Sequence, residues 1–153
     1  MTEHEKKAID YFVKGYNCSQ SVVAAFSDLT GLSEELSLKA ASSFGAGIGH
    51  LRLTCGAVTG MVTVLGLLYG YADLDDPEAK AKHYERVRVL TDRFLQIYPT
   101  LSCKELLEHL ATAPVPTHGD PQERNAEYYK TRPCVRFVAS AARLMDEYIE
   151  EQK

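Results

Sequence analysis

The chain has 153 residues, with 17 Lys+Arg against 21 Asp+Glu and a net charge of −4. That length suits a single domain over residues 1–153 with one core, and an apolar content of 45% excludes a disordered chain. The mildly acidic balance, with no basic block, excludes a nucleic-acid platform. Four cysteines are too few for a small secreted disulfide scaffold.

The N-terminus, Met1-Thr2-Glu3-His4-Glu5-Lys6-Lys7, has no apolar stretch of the kind a signal peptide carries. The expected compartment is therefore the cytoplasm, where thiols stay reduced. Cysteines there are expected to be catalytic, redox-active or metal-binding.

Helical signals follow one another along the chain. A first helix is expected over Glu3–Lys14, with Ile9, Phe12 and Val13 on one side. A second starts at Asn17, whose cap pairs with Gln20; Val22, Phe26 and Leu29 form its stripe and Gly31 ends it. A third starts at Ser33 and carries Leu36, Ala40 and Phe44 inward. The fourth runs from near Thr54 to Gly70, with Thr54 as cap. The fifth opens at Asp76-Pro77 and repeats Tyr84, Val87, Leu90, Phe94 and Ile97 at helical spacing. The sixth opens at Ser102 with Glu105 completing a capping box; the seventh opens near Pro133 and carries Val138, Ala141 and Met145. Glu123–Lys130 is ambiguous, and His118-Gly119-Asp120 reads as a turn. No strand pattern appears. The expected fold is all-α, a bundle of about seven helices around a buried central helix over residues 54–70.

That central helix belongs to an unusual block. From Ala41 to Ala72 the only formal charge is Arg52, and seven of the ten glycines fall there. Leu53–Ala72 is long enough to span a bilayer, but its glycines and threonines and the missing basic flank make a helix buried by its neighbours the expected reading. Gly56 and Gly60, four apart, would let another backbone approach closely. Gly45, Gly47 and Gly49 precede this helix and are candidates for contacting a bound group. They follow a helix rather than a strand, so a dinucleotide loop lacks its context. A tight turn packed on the cysteine-bearing end is the expected form.

The cysteines share a local setting. Cys18 follows Asn17, Cys55 follows Thr54, Cys103 follows Ser102 and Cys134 follows Pro133, so each falls in the first turn of an expected helix. An up-and-down path permits all four to meet at one pole. Thiolate is the reactive and metal-binding form of cysteine, yet an ordinary thiol with a pKa of about 8.5 is only about 3% ionised at pH 7. A helix N-terminus contributes only about 0.3–1 kcal/mol to an anion, so a nearby cation or metal is needed. Arg52, Lys104 and Arg132 are the candidate cations, and His50 is a candidate further ligand.

Cys18, the run Cys55-Gly56-Ala57-Val58-Thr59-Gly60, Cys103 and Cys134 together resemble the four-cysteine family labelled C_GCAxxG_C_C, over nearly the whole chain. The resemblance implies redox activity or metal binding through Cys18, Cys55, Cys103 and Cys134. It supplies no substrate.

Three functions stay open at this point. In the first, the thiols cycle between dithiol and disulfide as in an oxidoreductase, with Cys55 the expected attacking thiolate. The partner would be an unidentified redox protein or small molecule. In the second, the same four thiolates hold a cofactor, an iron–sulfur cluster or zinc, although separations of 37, 48 and 31 residues are unlike zinc ribbons. In the third, the cysteines are core residues of a non-enzymatic interaction module.

Overall fold

Side-chain caps set most helix starts. The computed structural model describes residues 1–153. Thr2 and Glu5 form a capping box that opens α1, Glu3–Lys14, and Gly15 closes it at φ 116°. Asn17 and Gln20 do the same for α2, Cys18–Ala25. Ser33 caps α4, Glu34–Ala41, after the single turn α3, Ser27–Thr30. A 3-10 turn at Ser42–Phe44 then leads into a loop. The remaining helices are α5 (Gly56–Tyr69), α6 (Ala79–Ile97), α7 (Cys103–Leu110), α8 (Ala126–Thr131) and α9 (Cys134–Glu151). There is no strand, only one isolated antiparallel bridge between Thr54 and Ser102.

The expected all-α bundle is present, with nine helices rather than about seven. The expected second helix breaks at Phe26, whose φ −101° and ψ 13° leave the helical path, so α3 is separate. The ambiguous segment contributes α8, capped by Asn125. Asp76-Pro77 forms a turn, in which Asp76 accepts the Glu78 N–H, and α6 begins only at Ala79.

α5 is the central element, packed against α2, α6 and α9. Its buried Met61, Val64 and Leu65 join Phe12, Phe26, Phe94, Phe137 and Met145 in one core. Each such side chain contributes about 1.5–3 kcal/mol on burial. Only the first part of α5 is enclosed; Leu67 near its end is 40% exposed. No helix is long and apolar enough to cross a membrane.

Gly56 and Gly60 do admit a neighbouring backbone, and it is that of α2. A Cβ on Gly60 would lie 3.0 Å from the Ser19 carbonyl oxygen, and one on Gly56 would lie 3.0 Å from Cys18 Cβ. Two stripes differ from expectation. Leu36 and Ala40 face solvent while the small Ser37 and Ala41 turn inward, because α4 lies close against α2. Val13, Leu29, Tyr84 and Ile97, at the margins of their stripes, are 45–57% exposed.

Candidate functional site

The four cysteines sit at helix starts, in two local arrangements. Cys18, Cys103 and Cys134 are the first residues of α2, α7 and α9. Cys55 comes one position earlier relative to its helix: it is the N-cap of α5, in place of the expected Thr54. Backbone pairing joins two of these starts. The Cys55 N–H donates to the Leu101 carbonyl at 2.8 Å, and the Cys103 N–H donates to the Leu53 carbonyl at 2.6 Å. The chain entering α5 and the chain entering α7 are thereby zipped side by side.

The loop before Cys55 takes an uncommon path. Ala46, Gly47, Ile48, Gly49 and His50 all have φ between 52° and 71°, and Arg52 follows at 58°. Four of those six are not glycine, and left-handed backbone costs an L-residue roughly 1–2 kcal/mol. Backbone hydrogen bonds offset the cost: the Arg52 N–H reaches the Ala46 carbonyl and the Leu53 N–H reaches that of Gly47. Asn17 Nδ2 ties the preceding 3-10 turn by donating to the Ser42 carbonyl. The outcome is a wound turn, as expected, that delivers Arg52 to the interior, where it is 8% exposed.

All four cysteines line one cavity of about 490 Å³. His50, Arg52, Arg124, Tyr128 and Arg132 line it too, with Gly45, Gly47, Gly49 and Gly56. No Asp or Glu does. Gly60 lies outside, so its part is helix packing alone. Cys55, Cys103 and Cys134 are 3%, 9% and 8% exposed, Cys18 is half-buried, and all four are free thiols.

Two of the expected cations reach the thiols and one does not. Arg52 Nη1 donates to Cys103 Sγ at 3.5 Å, while its Nε and Nη2 hold the Pro116 carbonyl. Arg132 is 9% exposed and lies over the Tyr128 ring; its guanidinium makes no hydrogen bond and no ion pair within the chain. Lys104 points to solvent and pairs with Glu108 at 3.9 Å. His50 bridges: its Nδ1–H donates to the Gly119 carbonyl at 2.6 Å and its Nε2 accepts from Arg52 at 3.0 Å. The turn at His118-Gly119-Asp120 thus holds the histidine that braces Arg52.

Arg124 has no counterpart in the sequence reading. It donates to the carbonyls of Phe12 and Tyr16 and lies 4.2 Å from the Phe12 ring centroid. It sits in the one stretch without a clear helical period, so no pattern pointed to it.

These groups separate the acidities of the thiols. Cys18 and Cys134 act chiefly on each other: their interaction raises Cys18 well above its ordinary value and pulls Cys134 down to about 7. Burial opposes the fall of Cys134, while Arg132, Arg124 and Arg52 reinforce it. The two values belong to the pair: the first proton leaves near neutrality and the second is retained. Burial pushes Cys55 up to about 12, outweighing the Ala57 and Val58 N–H groups that face its sulfur. Burial also raises Cys103, beyond what its hydrogen bond from Arg52 offsets. Cys55, the expected attacking thiolate, is the most deeply buried of the four, and no guanidinium is among the groups that lower it. Burial likewise raises the Tyr128 phenol, which stays protonated.

Sharing a cavity is not sharing a metal. No group of three or more His, Cys, Asp or Glu side chains is placed as metal ligands are. Guanidinium groups stand beside Cys103 and Cys134. As placed, the four thiols do not form a ligand set for zinc or an iron–sulfur cluster.

A family model described as "Putative redox-active protein (C_GCAxxG_C_C)" matches residues 16–148, which contain all four cysteines. No curated protein and no solved structure matches the chain.

Proposed function

The chain belongs to the C_GCAxxG_C_C family, and from that premise we propose that it is a dithiol/disulfide redox protein whose working pair is Cys18 and Cys134. The observation that carries the reading is that both thiols line one cavity at the starts of the packed helices α2 and α9, beside guanidinium groups that no carboxylate pairs, and that each is the main influence on the other's acidity. Cys134 is the attacking thiolate, since a thiol with a pKa near ambient pH combines ionised fraction with nucleophilicity. Cys18, still protonated and lining the same cavity, resolves the mixed disulfide. Arg132 and Arg124 stabilise the thiolate by charge. Arg52, braced by His50, orients Cys103 at the edge of the site. Gly45, Gly47 and Gly49 line the cavity on that side.

Thiol titration on anaerobically purified protein tests this. Mild oxidant should remove two of the four thiols, and reductant should return both, with no stoichiometric metal in the sample. Loss of all four, loss of none before denaturation, or a stoichiometric metal would each contradict it.

A further inference from the structure

Buried charges are ordinarily paired, because an uncompensated ion in a low-dielectric site costs several kcal/mol. The cavity breaks that rule with one sign only. Arg52 and Arg124 spend their hydrogen bonds on neutral carbonyls, His50 and a thiol. Arg132, nine-tenths buried, spends none. No carboxylate lines the cavity, so the Cys134 thiolate is the only anion facing three guanidinium groups.

From this excess the structure assigns the cavity to a small anionic substrate, a low-molecular-weight disulfide carrying two negative charges, anchored on the free guanidinium of Arg132. The assignment rests on the dithiol reading above and adds the substrate class to it. One thiolate against three cations leaves room for two further negative charges. Guanidinium forks hold carboxylate or sulfonate groups in a fixed geometry, and the open hydrogen-bonding capacity of Arg132 is suited to that. A cavity of about 490 Å³ lies within the ordinary size of small-molecule sites, about 300–1,000 Å³.

The step balances as thiol–disulfide exchange. The Cys134 thiolate attacks one sulfur of the substrate, forming a mixed disulfide and releasing the other half as a thiolate. That thiolate takes the Cys18 proton. The Cys18 sulfur then displaces the second half, which is protonated by the proton Cys134 gave up on ionising. Two electrons pass from the cysteine pair to the substrate, giving a Cys18–Cys134 disulfide and two small thiols.

Three probe disulfides of different charge test the assignment: dithiodipropionate (two negative charges), 2-hydroxyethyl disulfide (neutral) and cystamine (two positive charges). Rates of Cys18–Cys134 oxidation should fall in that order, with at least about a tenfold spread between the ends. Added salt should compress the spread. Whole-molecule charge cannot produce this order, since the net charge of −4 repels anions. Arg132→Gln should narrow the spread severalfold, and Arg132→Lys should restore it. Equal rates for all three probes, a reversed order, or a spread untouched by Arg132→Gln would overturn the assignment while leaving the dithiol reading intact. If no probe oxidised the pair, the dithiol reading itself would fail and this assignment with it.

Discussion

Replacing Cys134 with serine should abolish reversible oxidation and remove the fast phase of thiol alkylation at pH 7. Replacing Cys55 should leave both nearly unchanged. The contrast follows from the acidities: Cys134 is lowered to about 7 and Cys55 raised to about 12. At pH 7 that makes the Cys18–Cys134 pair, here assigned to Cys134, about half thiolate and Cys55 about one part in 10⁵. The more basic thiolate is the better nucleophile, which returns about two orders of magnitude at a Brønsted slope of 0.4–0.5. The net advantage of Cys134 over Cys55 is then on the order of 10²–10³. Against an ordinary exposed thiol it is only about threefold, so the comparison must be made within this chain. In the wild type, the alkylation rate should rise with pH around a midpoint near 7, not near 8.5. An unaltered rate in Cys134→Ser would assign the reactive thiol elsewhere.

Gly47→Ala should be the most damaging single-atom change near the site. Gly47 has φ +71°, and a Cβ there would lie 2.6 Å from the Leu53 nitrogen and 2.7 Å from Arg52 Cα. Both are backbone atoms held by the left-handed hydrogen bonds, so neither yields cheaply. A left-handed alanine costs about 1–2 kcal/mol and forced overpacking about 1–3 more. A loss of about 3 kcal/mol corresponds to a fall in Tm of roughly 6–12 °C at this chain length. Gly49→Ala is the control: φ is +53° but nothing lies within 4 Å of its Cβ, so only the backbone cost applies. Equal melting temperatures for the two variants would show that the close approach at Gly47 is relieved by movement of the turn.

Local signals carried much of the architecture. Asn17 with Gln20, Ser33 and Ser102 mark helix starts, because a short polar side chain there satisfies an otherwise free N–H. Those starts and an up-and-down path permit the cysteines to meet around one cavity but do not require it. What separates the four thiols was not legible there. The Cys103 contact with Arg52 joins residues 51 apart, and Arg124 lies on a segment without periodicity. The proposed choice of Cys134 over Cys55 rests on burial and on guanidinium positions, which no spacing encodes. The left-handed turn was hidden for another reason. Glycines at 47 and 49 announced it, but Ala46, Ile48, His50 and Arg52 adopt the same backbone against their own preference. Tertiary contacts, including the His50 bond to Gly119, hold them there.

Oxidation is expected to join one particular pair of sulfurs. Wild-type protein oxidised anaerobically with diamide, alkylated and digested without reductant, should yield one cross-linked peptide pair, joining Cys18 to Cys134, with Cys55 and Cys103 recovered as alkylated thiols. A bridge between any other two cysteines, or four alkylated thiols, would contradict it.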